Sequence, residues 1–392
     1  MGDLKNFFSP KIIAVIGASN EEGKVGNVLM EKLKTFKGRI VPINPKHDYV
    51  LGKKTYASVL KCPWKIDLAI IAIPAQIAVS ALEECGKKGI KNAIVITAGF
   101  SEAGNKELED KLVETAEKHN IKILGPNCFG IVNPYNNFDC TFSNSTPKKG
   151  STAFISQSGA LWSYVSDFET TSISGFVSLG NQAMLTFSDF IEYFNNDEKT
   201  KRIVLYIERL KNGKKFVEIC RKSKKPIIVI KAGKTKKGTE ATVSHTGSLA
   251  TDFEIYKGAF KQAKVKVLDS LAEAFGLKKE NIKIKEKEVK IIGNAGGAIA
   301  LLTDTLTEKG IKVQSKDLLG TALAKDYENE IKKSEGNAKI LVVLTPQKMS
   351  QPEEVAKILN KNHIAVFLGD KSMKKAEKIF KDREIKYYTK CC

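Results

Sequence analysis

Short aliphatic runs alternate with longer amphipathic stretches along the first 130 residues of the chain. Five of these runs end in glycine, proline, asparagine or small residues, in the segments KIIAVIGAS, GRIVPINP, DLAIIAIPA, NAIVITAGF and IKILGPNCFG. Runs of about four to six aliphatic residues followed by such turns are typical of buried parallel strands whose loops face a ligand. The pattern predicts a Rossmann-like, doubly wound sheet over residues 1–130.

A second α/β unit begins near Gly150. Its predicted strands lie in STAFISQSGAL, GFVSLGNQ, RIVLYIERL and KPIIVIKAG, and it ends shortly after VKVLDSLAEAFGL. The polar, lysine-rich segment KKENIKIKEKEVK is predicted to be a linker, and a third, smaller α/β unit opens with VKIIGNAGGAIALLTDTL. We therefore expect three domains, over residues 1–130, 145–280 and 287–392.

The 392 residues exceed the size of one typical core, in agreement with two or three domains. No run approaches the roughly 18 apolar residues that a membrane span needs, and the first residues, MGDLKNFFSPK, lack the apolar core of a signal peptide. These features predict a soluble, cytoplasmic protein that binds no membrane. The seven cysteines show no CxxC spacing, so neither a metal site nor a disulfide framework is indicated.

The chain has a formal net charge of +20. A large positive charge is common among proteins that bind nucleic acids. The lysines, however, are spread through almost every segment, and no arginine–aromatic interleaving or nucleic-acid-binding motif accompanies them. We therefore expect no nucleic-acid partner. Small polyanions such as nucleotides and coenzyme A would be attracted by the same positive field.

A strand, a loop of small residues and a helix follow one another at three places in the chain. The loops lie at Ile16–Ser19, Ile155–Gly159 and Gly293–Gly297. Each places the free amides of a helix N-terminus at the carboxyl edge of a sheet, where anions bind. Glycine is also needed for tight turns alone, so each loop by itself leaves both interpretations open.

Two standard phosphate motifs fail the test of spacing. The NAD fingerprint needs a second glycine two residues after Gly17, where the chain has Ser19, which argues against a dehydrogenase. The segment AGKT resembles the end of a Walker A loop, but the first glycine of that motif would fall at Ile228, inside a strand. The chain therefore shows no nucleoside-triphosphate site of its own.

His245 lies in the segment ATVSHTGSLATD, just before a run that could start a helix. Imidazole titrates near neutral pH, and its free nitrogen can act as a base, a metal ligand or a nucleophile. The small neighbours Ser244, Thr246 and Gly247 leave room for a bulky group on that nitrogen and supply hydroxyl and amide donors. A phosphoryl group fits this description, and a structural histidine is the alternative.

Taken in order, twelve short motifs of the chain resemble those of one enzyme family. They are GAS, VGN, PINPK, AIPA, ITAGFSE, GPNCFG, SQSGAL, SLGNQA, YIE, KAGKT, SHTGSLA and GNAGG. The set resembles the alpha subunit of the NDP-forming acyl-CoA synthetases, the superfamily that includes succinyl-CoA synthetase, and most of all the ADP-forming acetate–CoA ligases. The resemblance implies a Rossmann-like CoA-binding domain followed by two flavodoxin-like domains.

The resemblance also implies a reaction and the residues that carry it. In that family an acyl phosphate forms from acyl-CoA and phosphate, a histidine takes its phosphoryl group, and the phosphohistidine phosphorylates ADP. His245 matches the histidine, and Glu208, at the end of the strand IVLYIE, is the best orienting carboxylate; its alternative is an exposed strand-end ion pair. The implied phosphate-binding residues are Ser156, Ser158, Gly159, Asn294, Gly296 and Gly297. The implied CoA-binding residues are Gly17, Ser19, Lys46, Ile73, Pro74, Thr97 and Asn127.

Two features depart from the family's pattern. Met184 stands where the family has an aspartate, although Asp189 matches the next acidic position. In the same segment, Asn181 is expected near the acyl or phosphate site. The third domain is shorter than is usual in the family, before the segment DLLG. A CoA-binding regulatory or scaffold protein that has lost catalysis is therefore the alternative to an enzyme.

The family binds ADP or ATP with Mg²⁺ through an ATP-grasp module, and no segment of this chain resembles one. The resemblance therefore implies a separate beta subunit, in an α2β2 assembly. The glycines and lysines of GKTKKGTEATVS, ahead of His245, favour a mobile loop.

Overall fold

The computed structural model describes residues 4–246, 252–334, 336 and 338–392, and for residues 243–246 it describes the backbone only. These residues form three α/β units, each built around a sheet with five parallel strands. Within the described ranges, no helix is long and apolar enough to cross a membrane.

The first unit contains one parallel sheet and a separate two-stranded hairpin. Its elements are α1 Lys5–Phe8, β1 Ile12–Ile16, α2 Val25–Lys32, β2 Arg39–Ile43, β3 Tyr49–Val50, β4 Lys53–Lys54, β5 Leu68–Ile71, α3 Ala75–Lys87, β6 Asn92–Val95, α4 Lys106–Lys118 and β7 Lys122–Leu124. The aliphatic run of β1 is almost fully buried, because helices cover both faces of the sheet. A short 3-10 turn at Ser101–Ala103 precedes α4.

The second unit begins with an antiparallel hairpin at the edge of its sheet. Its elements are β8 Ile131–Asn133, β9 Phe138–Asp139, β10 Lys148–Ser156, α5 Ala160–Ser166, β11 Ser172–Ser178, α6 Phe187–Asn196, β12 Arg202–Ile207, α7 Gly213–Lys222, β13 Ile227–Lys231, α8 Lys236–Thr246, α9 Phe253–Ala263, β14 Lys266–Leu268 and α10 Leu271–Ala274. β8 pairs with β11, so residues 131–139 belong to the second sheet although they precede the predicted limit at residue 145.

The third unit repeats the alternation of strands and helices. Its elements are β15 Glu288–Gly293, α11 Gly296–Glu308, β16 Lys312–Asp317, α12 Ala324–Lys333, β17 Lys339–Leu344, α13 Pro352–Ile358, β18 His363–Phe367, α14 Lys374–Asp382 and β19 Lys386–Tyr388. A 3-10 turn at Lys371–Met373 precedes α14. The segment predicted to be a linker spans residues 278–290. Its residues 278–287 contain no regular element, whereas its last three residues belong to β15.

The five parallel strands follow one order in all three sheets, with the second strand outermost among them and the first strand beside it. The orders are β2-β1-β5-β6-β7, β11-β10-β12-β13-β14 and β16-β15-β17-β18-β19. In the second sheet the hairpin β8–β9 continues beyond β11. The chain crosses to the other side of the first strand between its second and third strands. In such sheets, ligands bind in the crevice outside the carboxyl ends of the strands at this crossover.

Helix α11 joins the second and third units. It packs along α8 and against α5, and most of its residues are buried. Because a helix that is apolar on most sides requires cover on most sides, α11 lies inside the molecule, between two sheets. This placement brings the loop before α11 to the loop before α5.

Candidate functional site

The predicted CoA-binding residues all lie in loops that follow strands of the first sheet. Gly17 and Ser19 follow β1, Lys46 follows β2, and Ile73 and Pro74 follow β5. Thr97 follows β6 and Asn127 follows β7. Because the carboxyl ends of parallel strands meet at one edge, the structure brings the whole set to that edge.

Two glycines shape the crossover point between β1 and β5. Gly17 has φ of +94°, and a Cβ built there would lie 2.3 Å from the carbonyl oxygen of Ala72. A Cβ on Gly26, in the first turn of α2, would lie 1.9 Å from the carbonyl oxygen of Gly17. The start of α2 therefore presses directly on the loop, and its N-terminal amides face the crevice.

Lys46 is exposed beside this loop. Its backbone N–H donates to Oδ1 of Asn44 (2.8 Å), and Nδ2 of Asn44 donates to the carbonyl oxygen of Ala18 (2.8 Å). This bridge ties the loop after β2 to the loop after β1. Ser19 is buried, and its Oγ accepts a hydrogen bond from the N–H of Glu21 within its own turn.

Thr97 and Asn127 continue the same edge. Oγ1 of Thr97 donates to the carbonyl oxygen of Ile73 (2.8 Å), and the N–H of Asn127 donates to the carbonyl oxygen of Thr97 (2.8 Å). Asn127 holds a left-handed backbone with φ of +55°, a conformation that asparagine tolerates better than most residues. The loops after β5, β6 and β7 therefore form one hydrogen-bonded row.

Asn181 lies where the first unit meets the second. Its Nδ2 group donates to Oε2 of Glu102 (2.6 Å) and Oε2 of Glu109 (2.7 Å), and its Oδ1 accepts from Nδ2 of Asn127 (3.3 Å). The amide thus draws two carboxylates of the first unit to one point beside the CoA edge. Sequence reasoning did not select Glu102 or Glu109, although the motif ITAGFSE contains the first of them.

Met184 and Asp189, which lie where the sequence departs from the family pattern, both have structural contacts. Met184 is partly buried against the core of the first unit. The carboxylate of Asp189 accepts from the N–H and the Oγ1 of Thr186, which completes a capping box at the start of α6, and it also pairs with Lys215 (3.0 Å). The hydrogen bonds of Asp189 therefore stabilise the start of α6, and they do not involve a ligand-binding residue.

The two predicted phosphate loops of the second and third units meet. Residues 157–159 connect β10, which ends at Ser156, to α5, and residues 294–295 connect β15 to α11. A Cβ built on Gly297 would lie 2.6 Å from both Cβ and Oγ of Ser158. Two helix starts therefore converge, which brings their unpaired N–H groups to one place where anions are favoured.

Within these loops, several side chains serve the loops themselves. Oγ of Ser156 donates to the carbonyl oxygen of Ser158 (2.6 Å). Asn294 is buried, its Oδ1 accepts from the N–H of Thr345 (2.9 Å), and its Nδ2 donates to the carbonyl oxygen of Thr345 (3.2 Å). The side chain of Asn294 thus fixes the loop after β15 to the loop after β17, and the contribution of this loop to an anion falls on its backbone.

Glu208 follows β12 and lies beside the converging loops. It is only 5% exposed, which excludes the exposed ion pair that the sequence left as an alternative. Its N–H donates to Oε1 of Gln157 (2.6 Å), and its Oε1 accepts from the hydroxyl of Tyr206 (3.1 Å). Burial, and next the neighbouring Glu208 carboxylate, raises the pKa of Tyr206, so this hydroxyl keeps its proton and donates.

Lys231, at the end of β13, is a further buried group that sequence reasoning missed. Its Nζ donates to the carbonyl oxygens of Glu208 (2.9 Å) and Ala232, and it lies 4.5 Å from the ring centre of Tyr256. Burial lowers the pKa of Lys231 to about 8. The ammonium group of Lys231 thus links the carboxyl ends of β12 and β13 through hydrogen bonds.

His245 lies near the end of α8. The sequence predicted a mobile loop ahead of His245, but the chain is helical from Lys236 to Thr246. The helix is stabilised because it packs along α11. His245 therefore belongs to a helix and not to a loop. Cα atoms of α8 also come within 8 Å of the turn Ser101–Ala103 in the first unit. The side chain of His245, together with Gly247 and Ser248, lies outside the described part of the structure.

Other chemistry finds no support among the described residues. No group of three or more histidine, cysteine, aspartate or glutamate side chains in the described ranges could hold a metal ion. The seven cysteines are buried and form no disulfide. The arrangement can bind an elongated polyanion along the first sheet and a small anion between the second and third.

Two segments of the chain match family models of known proteins. Residues 11–134 match the family model of a CoA binding domain, and residues 149–279 match that of a succinyl-CoA ligase like flavodoxin domain. Acetate–CoA ligase [ADP-forming] II subunit alpha of Pyrococcus furiosus is 43% identical over 320 residues, which cover 79% of this chain and 70% of that subunit. The chain belongs to the ADP-forming acetate–CoA ligase family. The predicted resemblance is therefore confirmed.

Other members of the ADP-forming acetate–CoA ligase family are longer. The relative from Archaeoglobus fulgidus, acetate–CoA ligase [ADP-forming] I, is 37% identical over 416 residues, which cover 97% of this chain and 61% of that protein. For the relative from Methanocaldococcus jannaschii the chain covers 46% of the protein, at 46% identity. The chain thus spans about half to three fifths of the length of these two relatives.

A solved structure confirms the predicted fold class. Acetyl-coenzyme A synthetase 1 from Ca. Korarchaeum cryptofilum, solved in complex with phosphate and ADP, superposes with a TM-score of 0.68 at 32% identity. The match covers 100% of this chain and 94% of that one. The Rossmann-like and flavodoxin-like architecture is therefore that of the acetate–CoA ligase family.

Proposed function

We propose that this chain is the alpha subunit of an ADP-forming acyl-CoA ligase of the acetate–CoA ligase type. The observation that carries the proposal is the convergence of the helix starts at Ser158 and Gly297 beside the buried Glu208. A dianionic phosphoryl group needs several oriented dipoles at one point, and two helix N-termini supply them.

The proposed reaction transfers one phosphoryl group twice. Phosphate attacks the acyl carbon of acyl-CoA, and the thiol of CoA leaves, which gives an acyl phosphate. A ring nitrogen of His245 then attacks phosphorus, and the carboxylic acid leaves. Finally, ADP takes the phosphoryl group from phosphohistidine to give ATP, and each step is reversible.

Glu208 orients the imidazole in this proposal. Its carboxylate would accept a hydrogen bond from one ring N–H of His245, which fixes the tautomer and leaves the other nitrogen as the nucleophile. The positive charge that develops on the ring is stabilised by the same carboxylate. Gln157, Tyr206 and Lys231 hold Glu208 in place through its N–H, its Oε1 and its carbonyl oxygen.

The first unit would bind CoA at the edge that carries Gly17, Ser19, Lys46, Ile73, Pro74, Thr97 and Asn127. The fit rests on the close approach of Gly26 to Gly17, which exposes backbone amides to a diphosphate, and on the exposed ammonium of Lys46. Asn181 connects this edge to the second unit, which favours an acyl site at the junction.

The names of the relatives imply a partner. Two proteins from Pyrococcus furiosus, which this chain covers to 70% and 86%, are named alpha subunits, so a beta subunit is implied. We propose that an ATP-grasp beta subunit provides the site for ADP or ATP with Mg²⁺, in an α2β2 assembly. The acid to test first is acetate, because the relatives are named for it.

Co-expression with a candidate beta subunit tests the proposal. With ATP and Mg²⁺, the parent complex should release ADP beyond the one equivalent that forms phosphohistidine only when both acetate and CoA are present. His245→Ala should abolish this release while CoA binding persists. His119→Gln, at a partly buried histidine that pairs with Glu83 at the end of α4, should behave like the parent.

A complex that binds CoA but releases no ADP, and that takes no label from acetyl phosphate, would contradict the proposal. That result would favour a CoA-binding regulatory or scaffold protein of the same fold.

A further inference from the structure

Two buried aspartates join the second and third units reciprocally. Asp304, on α11 of the third unit, binds the second-unit loop that comes after β13. Asp167, at the end of α5 of the second unit, binds the third-unit loop that comes after β18. Because β13 and β18 are each the fourth strand of a sheet with the same order, the two contacts occupy equivalent places in the two units.

Asp304 accepts hydrogen bonds from four donor groups on three consecutive residues. The N–H groups of Gly233 (2.7 Å), Lys234 (3.0 Å) and Thr235 (2.8 Å) all donate to its carboxylate, and Oγ1 of Thr235 donates as well (2.9 Å). The carboxylate is 3% exposed. Charge-assisted hydrogen bonds of this kind are stronger than neutral ones, and a carboxylate is favoured at a helix N-terminus.

The contact leaves no room for another atom. Gly238 lies in the first turn of α8, and a Cβ built there would lie 1.8 Å from Oδ1 of Asp304. Gly258, in the neighbouring helix α9, has open space around its Cβ position. The close approach of α8 to Asp304 is therefore a reason for glycine at position 238.

Asp167 makes a contact of the same kind. Its carboxylate accepts from the N–H groups of Asp370 (2.8 Å) and Ser372 (3.0 Å) and from Oγ of Ser372 (2.7 Å). It also accepts from Oγ of Ser145, and a Cβ built on Gly369 would lie 2.7 Å from its Oδ2. Asp167 is 1% exposed, so the two aspartates match in burial as well as in bonding.

The two contacts differ in the helix that the bound loop begins. The loop on Asp304 leads into α8, the helix with His245 near its end, whereas the loop on Asp167 leads into α14. The 11 residues of α8 extend about 16 Å from this base at the usual helical rise. A small displacement of the base would therefore change the position of the histidine.

We propose that Asp304 is a positioning residue for His245. It holds the N-terminal end of α8, and in this way the third unit determines the position of the histidine near the other end of that helix. The inference rests on the proposed function. Withdrawing the loop from Asp304 would leave a buried carboxylate without partners, which is strongly unfavourable. Any movement of the histidine during the reaction therefore leaves residues 233–238 in place and occurs beyond them.

Asp304→Asn and Asp167→Asn form a matched pair for the test, because each keeps the shape of the side chain and removes its charge. In the full complex, Asp304→Asn should lower the rate of His245 phosphorylation by roughly tenfold to hundredfold, since small misplacements of a reacting group have effects of this size. CoA affinity should stay at the parent value. Asp167→Asn should leave the phosphorylation rate within about twofold of the parent while it loosens only the loop before α14.

Hydrogen exchange on the same variants gives a readout that does not depend on activity. Asp304→Asn should speed exchange in residues 236–246, and Asp167→Asn should speed exchange in residues 370–382. Equal losses of phosphorylation in both variants, or unchanged exchange in α8 of Asp304→Asn, would overturn the proposal. A parent complex that takes no label would refute the proposed function, and the exchange data would still decide the role of Asp304.

Two glycine substitutions test the contact with Asp304 in case the aspartate variants fold poorly. Gly238→Ala should speed exchange in α8, whereas Gly258→Ala should not, because only the first methyl group meets Asp304. In an Asp304→Ala background, Gly238→Ala should have no further effect, since the obstacle is gone. Additive effects of the two substitutions would contradict the proposed contact.

Discussion

The N–H of Glu208 donates a 2.6 Å hydrogen bond to Oε1 of Gln157, and the N–H of Arg209 donates to the same oxygen at 2.8 Å. Gln157 belongs to the loop before α5, so the proposed phosphate loop and the proposed orienting carboxylate are held together by one side chain. Both Gln157 and Glu208 are buried. This side chain therefore fixes the loop before α5 relative to Glu208.

Replacement of Gln157 by methionine should separate these two elements. Gln157→Met keeps the volume but leaves two N–H groups without their acceptor, one of them at the buried Glu208, which costs about 1–3 kcal/mol for an unsatisfied buried group. We expect phosphorylation of His245 to fall and CoA affinity to stay unchanged, as measured with labelled ATP and by calorimetry. Gln182→Met is the control, since Oε1 of Gln182 accepts no hydrogen bond from the described residues. Equal phosphorylation in both variants would remove Gln157 from the account.

Replacement of Gly297 by alanine should push the two helix starts apart. The new methyl group would meet Ser158 at 2.6 Å, and overpacking of this kind costs about 1–3 kcal/mol. Urea denaturation should show this loss, and the added substitution Ser158→Gly should recover part of it. Gly213→Ala, where the Cβ position is open, should cost little. A Gly297→Ala protein as stable as the parent would show that the loops do not touch.

The sequence predicts the strands and the ligand-facing loops of this protein because both are local features. Aliphatic runs that end in small residues mark β1, β10 and β15, and each is followed by the loop expected of it. The shared edge of the CoA-binding set follows from strand order alone. Glu208 is predictable for the same reason, since strand ends face the ligand edge.

The supporting contacts could not be predicted, because they join residues far apart in the chain. Gln157 and Glu208 are 51 residues apart, and Asp304 and Gly233 are 71 residues apart. The glycines and lysines of the segment ahead of His245 favour a mobile loop, and glycine weakens the intrinsic helical preference. Packing along α11 and the carboxylate of Asp304 at its start stabilise the helix instead.

Lys46 should contribute one charged contact to CoA. Lys46→Ala should weaken CoA binding by about tenfold to hundredfold, the range for one charge-assisted hydrogen bond. Calorimetry on the full chain measures the change. Lys65→Ala is the matched control, because Lys65 is exposed just before β5, at the opposite edge of the same sheet. Equal affinities for the two variants would leave Lys46 without a role.

Lys231 should make stability depend on pH in the alkaline range. Its pKa is lowered to about 8 in the folded protein by burial, whereas an unfolded lysine titrates near about 10.4. Between these values only the unfolded chain keeps the proton, so the free energy of unfolding rises with pH by up to about 3 kcal/mol. The difference in denaturation midpoint between the parent and Lys231→Met should therefore shift in favour of the parent from pH 7.5 to pH 10. A difference that stays constant over this range would contradict the lowered pKa.

The most direct test of the account is the location of the phosphoryl group. The complex with its beta subunit is incubated with labelled ATP and Mg²⁺, and the labelled residue is identified by mass spectrometry of peptides. The account predicts an acid-labile, base-stable label on His245 that is absent in His245→Ala and strongly reduced in Glu208→Gln, with CoA affinity unchanged in both. Acid-stable label, or label that persists in His245→Ala, would contradict it.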